Sequence, residues 1–200
     1  LKRLVLASGN PGKIREIAAL LAPLEIEVLP QSRLGIAEAE EPHATFLENA
    51  LAKARHASRA FGLPALADDS GLCVDALGGE PGVLSAYYAG REGSREARDA
   101  RNNEKLLKSV KADRRAYYAC VMVLTRTASD PLPLVAHGIW HGEIARAPRG
   151  ENGFGYDPLF FLPEYSRTAA ELDPAEKNRI SHRAQALARL VELLGDPGRA

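Results

Sequence analysis

Four apolar residues, Leu4 to Ala7, run directly into the Gly-rich segment Ser8-Gly9-Asn10-Pro11-Gly12-Lys13. The chain then continues with Ile14, Ile17, Ala18 and Leu21 at helical spacing. A strand that passes through a Gly-rich turn and a lysine into a helix is the general plan by which backbone N–H groups and a helix N-terminus hold phosphate oxygens. The segment is not a Walker A loop. Ala7 stands where that motif has its first Gly, and Ile14 stands where a Ser or Thr would hold magnesium. Any metal that accompanies a phosphate here must be held by groups elsewhere in the chain.

The alternation of helical and strand patterns continues. Pro23 ends the first helix, and Ile26 to Pro30 read as a strand leading into the acidic loop Ala37 to His43. Thr45 and Glu48 have the spacing of a capping box and open a helix to about Phe61. LPALADD reads as a short strand ending in two carboxylates, GLCVDAL as another, and GGEPG as a turn. Residues 94 to 108 are helical by composition. Residues 116 to 126 and 132 to 145 are strand-like and close enough in sequence to pair antiparallel. The irregular NGFGYDPLFF precedes a final helix expected from about Pro174 to Leu194, capped by Asp173 with Glu176 at the box position. No repeat or linker interrupts the chain, so residues 1–200 are expected to form one α/β domain on a mixed sheet flanked by helices.

Composition narrows the function. Lys and Arg number 26 against 26 Asp and Glu, so the formal net charge is +0 and no broad attraction to nucleic acid or anionic lipid is implied. No apolar run approaches the ~20 residues needed to span a bilayer, and no signal peptide is visible. These features point to a cytoplasmic protein that meets neither nucleic acid nor membrane and binds a small molecule at a local site. Cys73 and Cys120 lie in apolar runs and are expected to be buried free thiols.

The sharpest chemical feature is Asp68-Asp69 at a strand end before Ser70-Gly71. A strand sends adjacent side chains to opposite faces, so one carboxylate is expected to meet substrate and the other to orient neighbouring groups. Glu40 and Glu41 offer oxygen ligands for Mg²⁺, which prefers carboxylates, phosphates and retained waters, and Glu40 with Asp69 are the expected pair. Asn49, Lys53 and His56 share a helix face beside that loop. Within NGFGYDP, Phe154 suits stacking on a flat base, with glycines letting backbone donors approach its edge. Lys177, His182 and Arg183 add cations on the last helix. His137 and His141 share a strand face but lack a third ligand for zinc.

Taken in order, SGNPGK, EEPHATFLENALAKA, LADDSGL, GGEPGVLSA, NGFGYDP and EKNRISHRAQAL resemble the motif set of the inosine triphosphate pyrophosphatase family, over about Lys2 to Leu194. The resemblance implies an elongated α/β fold with two lobes and a central cleft, a homodimer, and Mg²⁺-dependent hydrolysis of ITP, dITP or XTP to monophosphate and pyrophosphate. It places Ser8, Gly9, Asn10, Pro11, Gly12 and Lys13 on the substrate phosphates. Asp69 corresponds to the catalytic carboxylate, Lys13 and Lys53 to assisting cations, and Glu40 and Asp69 to metal ligands. Ser70 corresponds to a substrate contact. Phe154, Gly155, Tyr156 and Asp157, with Lys177, His182 and Arg183, correspond to the nucleotide-binding elements around the base. Where the family commonly has Ser-Ala-Arg-Tyr, this chain has Ser85-Ala86-Tyr87-Tyr88, so no cation stands at position 87. Two competing readings are a pyrophosphatase for modified pyrimidine nucleotides and a nucleotide-binding protein without catalysis.

Overall fold

The computed structural model describes residues 1–35, 37 and 39–195, so Glu38 of the acidic loop lies outside the described residues. Seven strands form one mixed sheet: β1 (Arg3–Leu6), β2 (Glu27–Pro30), β3 (Ala65–Val74), β4 (Arg115–Thr125), β5 (Leu134–Ile144), β6 (Phe160–Leu162) and β7 (Arg167–Thr168). Their order is β2-β1-β3-β4-β5-β6-β7. β1 runs parallel to both β2 and β3, whereas β5, β6 and β7 pair antiparallel in succession. Among the described residues five α-helices accompany them: α1 (Pro11–Leu21), α2 (Phe46–Phe61), α3 (Arg95–Ser109), α4 (Pro174–Ile180) and α5 (His182–Leu194).

By its contacts the chain divides into two compact units. The first contains residues 1–69, 120–138 and 182 onward, and the second contains residues 70–119 and 139–181. In the first unit the period-2 geometry of a strand sorts side chains between two helical layers. Leu4 and Leu6 of β1 and Leu66 of β3 pack with Ile17 and Leu21 of α1 and with Leu187 and Leu190 of α5. Val5, Ala7, Ala65 and Ala67 face the other way, onto Ala50, Ala54 and Ala57 of α2. Alanines along α2 let its backbone approach the sheet closely. In the second unit one core joins Leu72 and Val74 of β3, Leu106 and Val110 of α3, and the aromatic set Tyr118, Trp140, Tyr156 and Phe160. Phe160 has Tyr118 and Trp140 at ring centroid distances of 4.6 and 5.3 Å in tilted geometry. Cys73 and Cys120 are buried and free. Among the described residues no helix is long and apolar enough to cross a membrane.

Two expectations are corrected. LPALADD and GLCVDAL are not two strands but one, β3, which runs unbroken through Asp68-Asp69-Ser70-Gly71. Asp, Ser and Gly usually punctuate strands, yet here the carboxylates are held by cations from distant helices, and that pairing offsets the cost of burial fully at Asp68 and in part at Asp69. The final helix is also not continuous. Ser181, with φ −67° and ψ 161°, separates α4 from α5. Serine in extended geometry just before His182 has the type and conformation of an N-cap, a signal masked by apolar periodicity on both sides. Asp173 does cap α4, accepting from the Ala175 N–H, but Glu176 bonds Arg167 instead of closing a box.

Gly138 shows how tightly α5 lies on β5. A Cβ there would collide with the His182 carbonyl oxygen and sit 2.7 Å from the Ala186 nitrogen. Gly138→Ala is therefore expected to lower the unfolding free energy by at least about 1 kcal/mol. Val135→Ala, at an exposed position of the same strand, should cost less than about half that. Urea denaturation of the two variants checks the contrast.

Candidate active site

The alternation that sorts the core also sorts the two aspartates. Asp68 continues the Leu66 face toward α1 and α5, and Asp69 continues the Ala65–Ala67 face toward α2. Each carboxylate thereby meets its own cations. Asp68 Oδ2 lies 3.0 Å from Lys13 Nζ of α1 and 3.5 Å from Arg183 Nε of α5. Arg183 also pairs with Glu16 through Nη1, and its side chain is 2% exposed. Asp69 Oδ1 lies 3.2 Å from Lys53 Nζ, and Asp69 Oδ2 accepts from Asn49 Nδ2 at 3.2 Å. Lys53 is also 2.5 Å from Glu41 Oε1. Asn49 is held by His43, whose N–H donates to Asn49 Oδ1 and whose carbonyl accepts from Nδ2.

These environments push the two acids apart. Burial disfavours the charge on Asp68, but Lys13, Arg183 and then Lys53 overcome it and hold this carboxyl far below the usual range. Burial dominates at Asp69 despite Lys53 and Lys13, and with Glu41 and Asp68 nearby its pKa is raised. Burial also works against the Lys53 ammonium, yet Asp69, Asp68 and Glu41 outweigh it and raise its pKa. Adjacent acids driven in opposite directions are the arrangement that lets one carboxylate serve as a fixed anion and the other as a proton-exchanging group.

At the Gly-rich turn, Asn10 caps α1, its Oδ1 accepting from the N–H groups of Gly12 and Lys13 at 2.9 and 3.3 Å. Asn10 N–H donates to Ser8 Oγ at 3.2 Å. The capping oxygen occupies the place at a helix N-terminus that an anion's oxygen takes, so binding a phosphate there exchanges one acceptor for another. Pro11 at the first helical position has no N–H to satisfy.

The second unit carries a separate cluster. Asp157 Oδ2 accepts from Lys177 Nζ at 2.6 Å and from the Phe154 N–H at 2.9 Å, and Tyr118 OH approaches Oδ1 at 3.4 Å. Lys177 Nζ also stands 5.1 Å from the centre of the Phe154 ring. Gly153 must lack a side chain, since its φ is +77° and a Cβ would strike the Asp157 carboxylate. The expectation that backbone donors of NGFGYDP are open to a base needs revision. The Phe154 N–H is committed to Asp157 and the Gly155 N–H to Asp99 Oδ2, at 3.1 Å. Tyr156 OH donates to the Ser85 carbonyl at 2.8 Å. At the position without an arginine, Tyr87 lies under the guanidinium groups of Arg91 and Arg98, 4.2 and 5.5 Å from its centroid.

The first unit thus brings together Lys13, Lys53 and Asp69 with Asp68, Asn49, Glu16, Glu41 and Arg183. Glu40 is exposed, and the acidic-loop carboxylate at Lys53 is its neighbour Glu41. Arg183 and His182, expected around the base, are buried in the first unit, with Arg183 on Asp68. His56 Nε2 bonds the Ala37 carbonyl at 3.0 Å. Ser70 is half-buried beside Asp69 in sequence. Sequence reasoning left Glu16 unremarked although it follows Lys13 by three positions on one helix, where side chains meet. It also missed Asp99 and Asn103, which share a face of α3 by the same rule.

The unequal pairing of the two acids has a measurable consequence. Asp68→Asn leaves Arg183 and Lys13 buried without their shared counter-charge and should cost about 3–5 kcal/mol of stability. Asp69→Asn removes a charge that burial already disfavours and should change stability by less than about 1 kcal/mol. Chemical denaturation near neutral pH distinguishes the two.

Residues 4–193 match the model of the Ham1 family. The chain is 63% identical over 200 residues to a protein of Bordetella pertussis named dITP/XTP pyrophosphatase, covering 99% of this chain and 93% of that one. A protein of the same name from Burkholderia pseudomallei is 64% identical over 196 residues, covering 97% and 94%. Among solved structures, a HAM1 protein from Coxiella burnetii superposes with a TM-score of 0.87 at 50% identity, covering 97% of this chain and 98% of that one. A match along nearly the whole sequence, with the fold reproduced at that level, leaves one assignment: this chain belongs to the Ham1 family.

Proposed function

We propose that the protein hydrolyses the non-standard purine nucleoside triphosphates ITP, dITP and XTP to the monophosphate and pyrophosphate, which removes them from the cytoplasmic nucleotide pool. The observation that carries this reading is the buried pair Asp68 and Asp69 with opposed acidities, set beside two lysines and a Gly-rich helix start. The names of close relatives supply the substrate class. We further propose that the enzyme works as a homodimer.

Hydrolysis of a phosphoric anhydride needs charge neutralisation and an aligned water more than covalent chemistry. Four carboxylates, Glu16, Glu41, Asp68 and Asp69, face three cationic heads, Lys13, Lys53 and Arg183, and these seven side chains sum to one net negative charge. An anionic triphosphate would be repelled by that balance unless a cation came with it. Among the described residues no group of three protein ligands stands together, but Asp69 and Glu41 on Lys53, with Glu40 next in the loop, would hold a hard divalent ion whose remaining ligands are phosphate and water. When bound, Mg²⁺ supplies charge neutralisation at the phosphates.

The chain's own groups do the rest. Ser8 to Lys13 receive phosphate oxygens in exchange for the Asn10 cap. Lys53 holds Asp69 on one side and Asn49 holds it on the other, which fixes the carboxylate that takes a proton from the attacking water. The water oxygen bonds the α-phosphorus, the bond from that phosphorus to the bridging oxygen breaks, and pyrophosphate leaves. Asp68 stays ionised and keeps Lys13 and Arg183 in place. In the second unit the Phe154 face, with Lys177 beside it, suits a flat purine.

The purified protein should release IMP and pyrophosphate from ITP in equal amounts. Chelation should abolish turnover and added Mg²⁺ should restore it. Asp69→Asn should lower kcat by at least ~10²-fold, the lower range for loss of a general base. Product analysis by ion-exchange chromatography is the check. IDP with orthophosphate as first products, or a variant keeping more than a tenth of the turnover, contradicts the mechanism. Preference for modified pyrimidine triphosphates would replace the substrate class.

A further inference from the structure

The turn that carries Phe154 is tied to α3 by two side chains that none of the chemistry above uses. Gly155, with φ +63°, is a central residue of a four-residue turn closed by the Asp157 N–H donating to the Phe154 carbonyl at 3.2 Å. Both of its backbone polar groups are taken by α3. The Gly155 N–H donates to Asp99 Oδ2 at 3.1 Å, and Asn103 Nδ2 donates to the Gly155 carbonyl at 2.9 Å. Asp99 and Asn103 stand four positions apart, one above the other on a single helix face.

Asn103 is committed to this task. Its Nδ2 serves the Gly155 carbonyl, while its Oδ1 is buried and makes no hydrogen bond among the described residues. The adjacent Asn102 serves a different segment, accepting from the Ala89 N–H and donating to the carbonyls of Ser85 and Ala86. No Cβ clash requires glycine at 155, because nothing lies within 4 Å of where that atom would be. The positive φ requires it, and a glycine left unclamped has more backbone states than any other residue.

We infer that Asp99 and Asn103 are positioning residues for nucleotide recognition, which hold the Phe154–Asp157 turn in the conformation that presents the Phe154 ring to the purine base. The inference rests on the proposed function. Neither residue belongs to the cluster around Asp69, so releasing the turn taxes binding and base discrimination and leaves the hydrolytic step alone. Asp157 and Lys177 anchor the far end of the turn, and α3 fixes its middle.

Steady-state kinetics with ITP, XTP and ATP on wild type, Asn103→Ala, Asn103→Asp, Asp99→Leu and Asp99→Asn test it, together with amide hydrogen exchange at Gly155. Asn103→Ala, Asn103→Asp and Asp99→Leu should raise KM for ITP roughly tenfold, the effect of one lost hydrogen bond. Their kcat should stay within about threefold of wild type, and the ITP to ATP ratio of kcat/KM should narrow. Asp99→Asn keeps an acceptor for the Gly155 N–H and should stay within about threefold of wild type on every measure. Gly155 exchange should speed up in Asp99→Leu and not in Asp99→Asn. Unchanged KM and selectivity in Asn103→Ala and Asp99→Leu, a fall in kcat alone, or equal behaviour of Asp99→Leu and Asp99→Asn overturns the inference. A wild type that does not prefer ITP and XTP to ATP overturns the functional reading, and this inference with it.

Discussion

Everything at the candidate site depends on one strand carrying two adjacent carboxylates between two layers of helix. Because β3 alternates faces, Asp68 and Asp69 make their direct contacts with different partners. Asp68 receives Lys13 and Arg183 from α1 and α5, and Asp69 receives Lys53 and Asn49 from α2. The same alternation places Leu66 and Ala67 in the two apolar layers just before them. Core and chemistry follow a single geometric rule, and shifting β3 by one residue would exchange the roles of the two acids and turn the core inside out.

The two acids also stand on opposite sides of the stability balance. Asp68 has a folded pKa below its unfolded value, so its contribution is present above the ordinary carboxylate range and is lost as pH falls through the folded pKa. Asp69 is shifted the other way, and its ionised form is held against the preference of its surroundings. A group kept at a stability cost, beside a group that stabilises, is the usual mark of a site selected for reaction rather than for folding. In the proposed reaction, the surplus of carboxylates over cations among the named side chains has the same sense, since it calls for a cation with the substrate.

Much of this was legible in the sequence because local signals agreed. Thr45 with Glu48 marked the start of α2 where the structure has it, and the helical patterns after Lys13 and from residue 94 located α1 and α3. The failures occurred where a local signal was overruled from a distance. Asp-Asp-Ser-Gly reads as a turn, and only cations from α1, α2 and α5 let it continue as strand. Which of Glu40 and Glu41 pairs with Lys53 was unreadable for a similar reason, since nothing local tells which of two neighbouring loop carboxylates meets a lysine on the following helix. The Asp99 and Asn103 clamp was invisible because its partner, the Gly155 backbone, carries no side-chain signature.

The central claim is that Asp68 is the permanent anion and Asp69 the proton acceptor. Carboxyl-carbon NMR of metal-free protein labelled at aspartate, with Asp68→Asn and Asp69→Asn for assignment, measures it directly. The account predicts that Asp69 protonates above the ordinary carboxylate value of about 3.9, while Asp68 stays ionised until the fold is lost in acid. Titration of both near that ordinary value, or protonation of Asp68 before Asp69, would contradict it.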